Sequence, residues 1–273
     1  MKSDSDPVDV EQDAAETEKF LADQTETASK GGRIISKVLA PAVRLWLRSQ
    51  VEDIQDLQVD IEAGDRELLS GQIQRIRLSA RKAVYRGLHL TRVDLMGQTI
   101  RVNLGQILRG KPLRLLAPIP IEGTLLLQED DLSASANAPL LKAGVAEFLA
   151  TLLRSSGSET EKTALNLQNL KIRLEENYVV VAASLVSVRG TDNAIPTELR
   201  PAPIAIRTGF EMGTPNVLKL VKPQWLPHAN AKRGLEIADL DGYEFNLGKD
   251  TEIQDLKLEQ GQMTCRAKLW VRS

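Results

Sequence analysis

Apolar and polar residues alternate along much of the chain after residue 54, with the two-residue period of strands that bury one face. In residues 75–81, Ile76, Leu78 and Ala80 alternate with three arginines and a serine. This alternation predicts a sheet with one apolar and one cationic face. Similar patterns predict further strands at residues 113–127, 165–174, 178–188, 203–211, 243–247, 251–258 and 262–271.

A helical period of 3.6 residues is found in residues 33–51. Pro41 removes one backbone hydrogen bond, so the segment forms either one bent helix or two short helices that meet near Ala40. Two interpretations fit an amphipathic helix of this kind: it lies in a membrane interface, or it packs its apolar face on the sheet with its bases in water. The predicted basic face consists of Arg33, Lys37, Arg44 and Arg48, and the apolar face of Ile34, Ile35, Val38, Leu39, Val43, Leu45 and Trp46.

A second helix is predicted after Pro139, where large apolar residues recur at helical spacing until Ser155-Ser156-Gly157 ends the pattern. Helices combined with antiparallel strands predict an α+β fold. Residues 1–30 carry nine acids and three bases, which predicts a disordered acidic tail. Residues 155–162 are small and polar and form a predicted flexible linker. It divides a helix-and-sheet region at 31–154 from a mostly β half at 163–273, expected to complete or extend the same sheet.

Charge is distributed unevenly along the chain, although the net charge is only −2. Residues 70–120 contain ten bases and a single acid, Asp94. A segment of this composition attracts anions, although basic side chains can also merely solvate the outer face of a sheet. We do not expect a nucleic-acid partner, because Tyr85 is the only aromatic residue of this segment and platforms for base stacking are therefore missing.

The composition offers little catalytic or metal chemistry. One cysteine and two histidines exclude an internal disulfide and a Cys/His metal cluster. No nucleophile motif or glycine-rich phosphate loop occurs, so we expect no catalytic residues, no metal, no cofactor and no enzymatic activity. The longest uncharged run, residues 177–188, is shorter than the roughly 20 apolar residues of a membrane-spanning helix. Without an apolar signal-like stretch near residue 1, we expect a cytoplasmic protein.

Several strand and turn segments resemble those of a known family. They are Leu69-Ser70-Gly71-Gln72-Ile73, Val84-Tyr85-Arg86-Gly87-Leu88, Val102-Asn103-Leu104 and residues 127–132, which lead into the second helix. Over residues 35–154 the chain resembles the LmeA-like phospholipid-binding proteins, and its second half is similar to the extension of cyanobacterial members. The resemblance implies a long, curved antiparallel sheet wrapped around amphipathic helices, similar to the tubular lipid-binding (TULIP) modules, with an apolar channel for acyl chains.

Two functional hypotheses follow. The first is a non-enzymatic phospholipid-binding or lipid-transfer protein that docks peripherally on the inner, anionic side of a membrane through its basic face and its first helix. The alternative is a structural or scaffold protein that uses the basic face to bind an acidic protein partner, its interior being filled by its own side chains. For the first hypothesis, the predicted acyl contacts are Ile35, Leu39, Trp46, Phe148, Leu149 and Leu152. The predicted head-group contacts are Arg75, Arg77, Arg81, Lys82 and Arg86.

Overall fold

A computed structural model describes residues 35–155, 164–189, 197–198 and 202–272. Within these residues antiparallel strands predominate and the helices are short, which confirms the predicted α+β class. The predicted acidic tail lies outside the described residues, and so does all of the predicted linker except Ser155.

Six antiparallel strands form a first sheet, which we call sheet A. The strands are β1 (Asp53–Glu62), β2 (Gln72–Tyr85), β3 (Leu88–Arg101), β4 (Ile119–Gln128), β12 (Thr251–Glu259) and β13 (Gln262–Val271). Their spatial order is β1-β2-β3-β4-β13-β12. The C-terminal hairpin therefore completes the sheet that the N-terminal strands begin.

The remaining strands form a second antiparallel sheet, sheet B, in the order β10-β9-β8-β6-β5. They are β5 (Ala164–Glu175), β6 (Tyr178–Arg189), β8 (Ala202–Met212), β9 (Val217–Trp225) and β10 (Leu235–Glu236). Two short strands lie off this path: β7 (Thr197–Glu198) pairs with β6, and β11 (Glu244–Asn246) pairs with β9. The antiparallel architecture is thus divided between two open sheets.

In the described part of the chain, five α-helices pack against the sheets. They are α1 (Ala40–Gln50), α2 (Asp65–Leu69), α3 (Leu104–Ile107), α4 (Glu129–Ala134) and α5 (Pro139–Ser155). One π-helical turn (Ile35–Leu39) precedes α1, so two helical segments of different type meet near Ala40, where Pro41 predicted either a bend or a junction of two helices. Pro41 lies in the first turn of α1, where a missing N–H removes no helix hydrogen bond.

Two large apolar cores hold these elements together, and a small third cluster is formed by Val180, Ala205 and Leu226 of the second half. We call the first the N-terminal core; in it the π turn, α2 and α3 bury residues against sheet A, among them Leu39, Leu68, Ile73, Ile100 and Leu104. The second, the inter-sheet core, joins the other part of sheet A to sheet B, α4 and α5. Its members include Leu127, Leu132, Leu149, Leu174, Ile206 and Leu258.

Helix α1 packs on sheet A with its bases in solvent. Val43 is buried in the N-terminal core, whereas Arg44 and Arg48 are exposed. This arrangement corresponds to the second interpretation of the amphipathic segment. The position predicted for Leu45 is wrong: periodicity placed it on the apolar face, but its side chain is 73% exposed. The strip of α1 that contacts the core is narrower than the apolar half of the helix.

Backbone and side-chain hydrogen bonds fix the loop around α3. Asn103 is buried; its Nδ2 donates to the carbonyl oxygen of Pro112 at 3.0 Å, and its Oδ1 accepts from the Arg114 N–H at 2.7 Å. The Val102 N–H donates to the carbonyl oxygen of Gly71 at 2.8 Å. The α2–β2 turn and the loop that carries α3 are therefore locked together.

We predict that Gly71→Ala destabilises the protein by about 3 kcal/mol, against about 1 kcal/mol for Gly110→Ala. Both glycines have left-handed backbones, with φ of 78° and 76°. A Cβ on Gly71 would lie 2.4 Å from the carbonyl oxygen of Val102, whereas nothing lies within 4 Å of one on Gly110. Urea denaturation of both variants measures the difference, and equal losses would show that the close contact is unimportant.

Candidate functional site

Apolar residues of sheet A form two rows across the strands, one over all six strands and one over five. Opposite residues of adjacent strands point to the same face, so the register decides which side chains become neighbours. Five interstrand spacings of about 4.8 Å give each full row a length of about 24 Å. The first row runs Val59, Leu78, Leu95, Gly123, Ala267 and Ile253, each the Cα partner of the next.

A second apolar row lies two residues further along the strands. It runs Ala80, Val93, Leu125, Cys265 and Leu256, again in direct register. Because side chains two residues apart share a face, both rows belong to the same side of sheet A. The two cores lie on this side as well, since Leu78 packs on the N-terminal core and Leu125 on the inter-sheet core.

Between the two cores the apolar face remains partly open. Val93, Leu95, Cys265 and Ala267 are each partly exposed, and neither core includes them. We call these four residues the apolar window. They come from β3 and β13, which flank β4 in the sheet. A contiguous apolar surface that is partly exposed to solvent is typical of a binding site for an apolar ligand.

Gly123 lies at the centre of the window and leaves room for the neighbouring leucine. It is the partner of Leu95 on one side and of Ala267 on the other. A Cβ at this position would lie 2.6 Å from Cδ2 of Leu95. The side chain of Leu95 therefore lies over Gly123. Because Gly123 has no side chain of its own, the surface between β3 and β13 forms a shallow depression.

The opposite face of sheet A is polar and balanced in charge, so the predicted cationic face is wrong. Arg75 Nη1 lies 3.0 Å from Glu62 Oε2, and Arg77 Nη1 lies 3.2 Å from Asp60 Oδ2. Further along the sheet, Glu122 is the partner of Lys268. The local sequence of β2 and β3 is strongly basic. Strand pairing nevertheless places acids of β1 beside the bases of β2, and it places Glu122 of β4 beside Lys268 of β13.

Asp94, the single acid of the basic segment, is tied into this face. Its Oδ2 accepts from Arg92 Nε at 2.7 Å, and its Oδ1 accepts from Ser79 Oγ at 2.6 Å. Burial by itself would raise the pKa of Asp94, but these hydrogen bonds and the charges of Arg92 and Arg81 hold it below its ordinary value. Asp94 is therefore ionised at neutral pH and offsets part of the basic charge.

A trough of about 630 Å³ crosses the polar face of sheet A. Most of its lining side chains are polar, with both signs of charge. They include Asp60, Arg77, Ser79, Asp94, Glu122 and Arg266. The lining also contains four residues of the first apolar row, namely Val59, Leu78, Leu95 and Gly123. A lining of mixed charge gives no net preference for an anionic group, so we place the candidate site on the apolar face instead.

The predicted head-group residues fall into two sets. Arg75 and Arg77 are engaged by the acids of β1. Arg81, Lys82 and Arg86 are exposed and form no ion pair within the described part of the chain. Arg86 lies over the ring of Tyr85, 5.3 Å from its centroid. The exposed set is at the end of β2 where the chain turns into β3.

The structure does not bring the predicted acyl contacts together in one place. Leu39 and Trp46 belong to the N-terminal core, whereas Phe148 and Leu149 belong to the inter-sheet core. Leu39 and Leu149 are 0% and 1% exposed, so packing already occupies them. Trp46 and Phe148 are partly exposed, and the ring of Phe148 lies 5.8 Å from that of Phe245. The side chains of Ile35 and Leu152 lie outside those that the structure describes.

The window residues were missed from sequence, although their strands were predicted. The alternation in residues 262–271 already placed Cys265 and Ala267 on one face. It could not show that β13 returns to pair with β4, across more than a hundred residues, or that none of the described helices covers this part of the sheet. Within the described residues, no group of side chains could hold a metal ion and no helix is long and apolar enough to cross a bilayer.

Comparison with known proteins adds one match. Residues 30–268 match the family model described as LmeA-like phospholipid-binding. No curated protein matches the sequence.

We predict slow alkylation of Cys265 and a pH dependence shifted to the alkaline side. Burial, assisted by the charge of Asp255, raises the pKa of the Cys265 thiol above its ordinary value. Because the thiolate is the reactive form, the rate with iodoacetamide should still increase when pH has passed about 8.5, the pKa of a free thiol. Mass spectrometry of the alkylated protein measures the rate. A plateau beginning at the free-thiol pKa would contradict the placement of this side chain in an apolar surface.

Proposed function

The chain belongs to the LmeA-like phospholipid-binding family, and we propose that it holds the acyl chains of a phospholipid against the apolar window of sheet A. The observation that carries the proposal is the gap between the two cores, where Val93, Leu95, Cys265 and Ala267 remain partly exposed. Each methylene group removed from water on such a surface contributes roughly 0.8 kcal/mol. The window spans two interstrand spacings, or about 10 Å, so it covers part of an extended acyl chain, whose length approaches the roughly 15 Å half-thickness of a bilayer core.

In this proposal α1 and α5 border the site and do not form it. Trp46 and Phe148 are partly exposed at opposite cores and are the members of the predicted acyl set that can contact a chain end. Leu39 and Leu149 would have to leave their cores to do so. The bound lipid undergoes no chemical change in this proposal, so the function is binding or transfer.

We further propose that the protein docks peripherally on an anionic membrane surface, on its cytoplasmic side, through exposed bases. Two groups of bases support this. On α1 and the turn before it, Lys37, Arg44 and Arg48 face solvent. At the end of β2, Arg81 and Lys82 do so as well. Anionic leaflets attract such groups by roughly 1 kcal/mol for each well-placed base.

We predict that Ala267→Trp abolishes or strongly reduces lipid occupancy. The indole would fill the window beside Gly123 and take the place of an acyl chain. The matched control is Arg266→Trp, which puts the same side chain on the polar face one residue away. Native mass spectrometry of the purified proteins, followed by lipid extraction, measures bound phospholipid. Equal occupancy in the two variants, with both folded by circular dichroism, would place the lipid elsewhere.

We predict that binding to vesicles containing phosphatidylglycerol weakens steeply as salt is raised, because exposed charges are screened within about 10 Å at 0.1 M salt. Flotation measures the bound fraction, with pure phosphatidylcholine vesicles as the control. Failure to float at low salt, combined with binding to polyglutamate, would instead support the scaffold function with an acidic protein partner.

A further inference from the structure

Three leucines at the α2–α3 end of sheet A are left in solvent. Leu69, Leu108 and Leu116 are 68%, 51% and 62% exposed. Leu69 and Leu116 come from separate segments but line one groove of about 410 Å³, together with Arg109. Leu108 directly precedes Arg109 in the turn that follows α3. We call these three leucines, with the bases around them, the leucine platform.

The bases of the platform have no acidic counterpart in the same stretch of chain. Residues 98–120 contain no acid. Their four bases are exposed and form no ion pair within the part of the chain that the structure describes: Arg101, Arg109, Lys111 and Arg114. On α2 the exposed Arg66 is offset by Glu67, whose carboxylate accepts from Gln74 Nε2. The net charge around the leucines is therefore positive, unlike that of the balanced polar face.

The backbone holds the leucines in these positions. The Leu116 N–H donates to the carbonyl oxygen of Arg101 at 2.8 Å, and the Leu108 N–H donates to that of Leu104 at 2.9 Å. Leu69 immediately precedes Ser70 and Gly71, and Gly71 bonds to Val102. With Asn103 fixing the rest of the loop, the leucines cannot easily fold back onto the N-terminal core, whose space Leu68, Leu104 and Ile107 already occupy.

We propose that the leucine platform is the part of the protein that inserts into an anionic bilayer. An acidic protein would satisfy the bases, but it would leave three rigidly held leucines without an apolar environment. The interface of an anionic bilayer satisfies both, since phosphate groups lie at its surface and acyl chains directly below. This inference rests on the lipid-binding function proposed above. Of the two groups of exposed bases named there, it favours the group on α1 and the turn before it, because that π turn packs close to α3.

A fluorescent label tests the insertion directly. The environment-sensitive probe is attached to Leu116→Cys in a Cys265→Ala background. The matched control is Leu235→Cys in the same background, because Leu235 is 75% exposed on β10 at the edge of sheet B. With vesicles of phosphatidylcholine and phosphatidylglycerol, we expect a blue shift of emission for the first variant and none for the second.

Serine substitutions provide a test without a label. Because the buried leucines contribute to binding by leaving water, Leu69→Ser with Leu116→Ser should weaken vesicle binding at least tenfold. Leu235→Ser should leave it unchanged. Native mass spectrometry of the same variants should find the phospholipid occupancy of the wild-type protein, because the platform is outside the apolar window.

The outcomes separate the two proposals. Flotation without a shift at position 116 would show that the membrane contact lies elsewhere and would overturn the platform, while leaving lipid binding intact. A response of the position-116 probe to polyglutamate but not to vesicles would also overturn it, in favour of an acidic protein partner. If the wild-type protein carries no phospholipid but the labelled Leu116→Cys variant shows the blue shift, the result supports the platform and counts against the apolar window.

Discussion

The register of the six strands in sheet A is the constraint on which the rest of the structure depends. With each strand alternating between apolar and polar residues, a slip of one residue in any pair would expose one apolar set and bury charges. The observed pairing instead aligns Leu78 with Leu95 and Gly123 with Ala267. One face becomes apolar across its whole width, and the other brings bases and acids together.

The open window follows from the lengths of the elements. Strands β2 and β3 have 14 residues each, which corresponds to about 46 Å. Helix α1 has 11 residues, or about 16 Å, and contributes to the core at one end, while α4 packs against β3 and β4 at the other. Among the described residues, short helices at the two ends leave the middle of a sheet of this length uncovered. The apolar cores that these helices form with the ends of the sheet stabilise it, so that its middle can remain exposed.

Local features of the fold could be predicted from sequence, whereas features set by distant partners could not. Periodicity indicated the strands and the two amphipathic helices, and Pro41 indicated a bend or break near Ala40. The charge balance of the polar face depends on pairs such as Arg77 with Asp60 and Glu122 with Lys268, which only the topology brings together. Leu39 and Leu149 satisfied the pattern of an apolar helix face, but the pattern does not distinguish contact with a ligand from contact with a core. The apolar window also depends on distant partners, because β13 and β4 become neighbours only when the chain folds.

The central claim is that phospholipid acyl chains lie on the apolar face of sheet A between the two cores. Crosslinking with a phospholipid that carries a photoreactive group near the end of one acyl chain tests it most directly, with the modified residues located by mass spectrometry. The account predicts adducts on β3 and β13, at or next to Leu95, Cys265 and Ala267. Adducts confined to α1 and α5, or to the polar face, would contradict it.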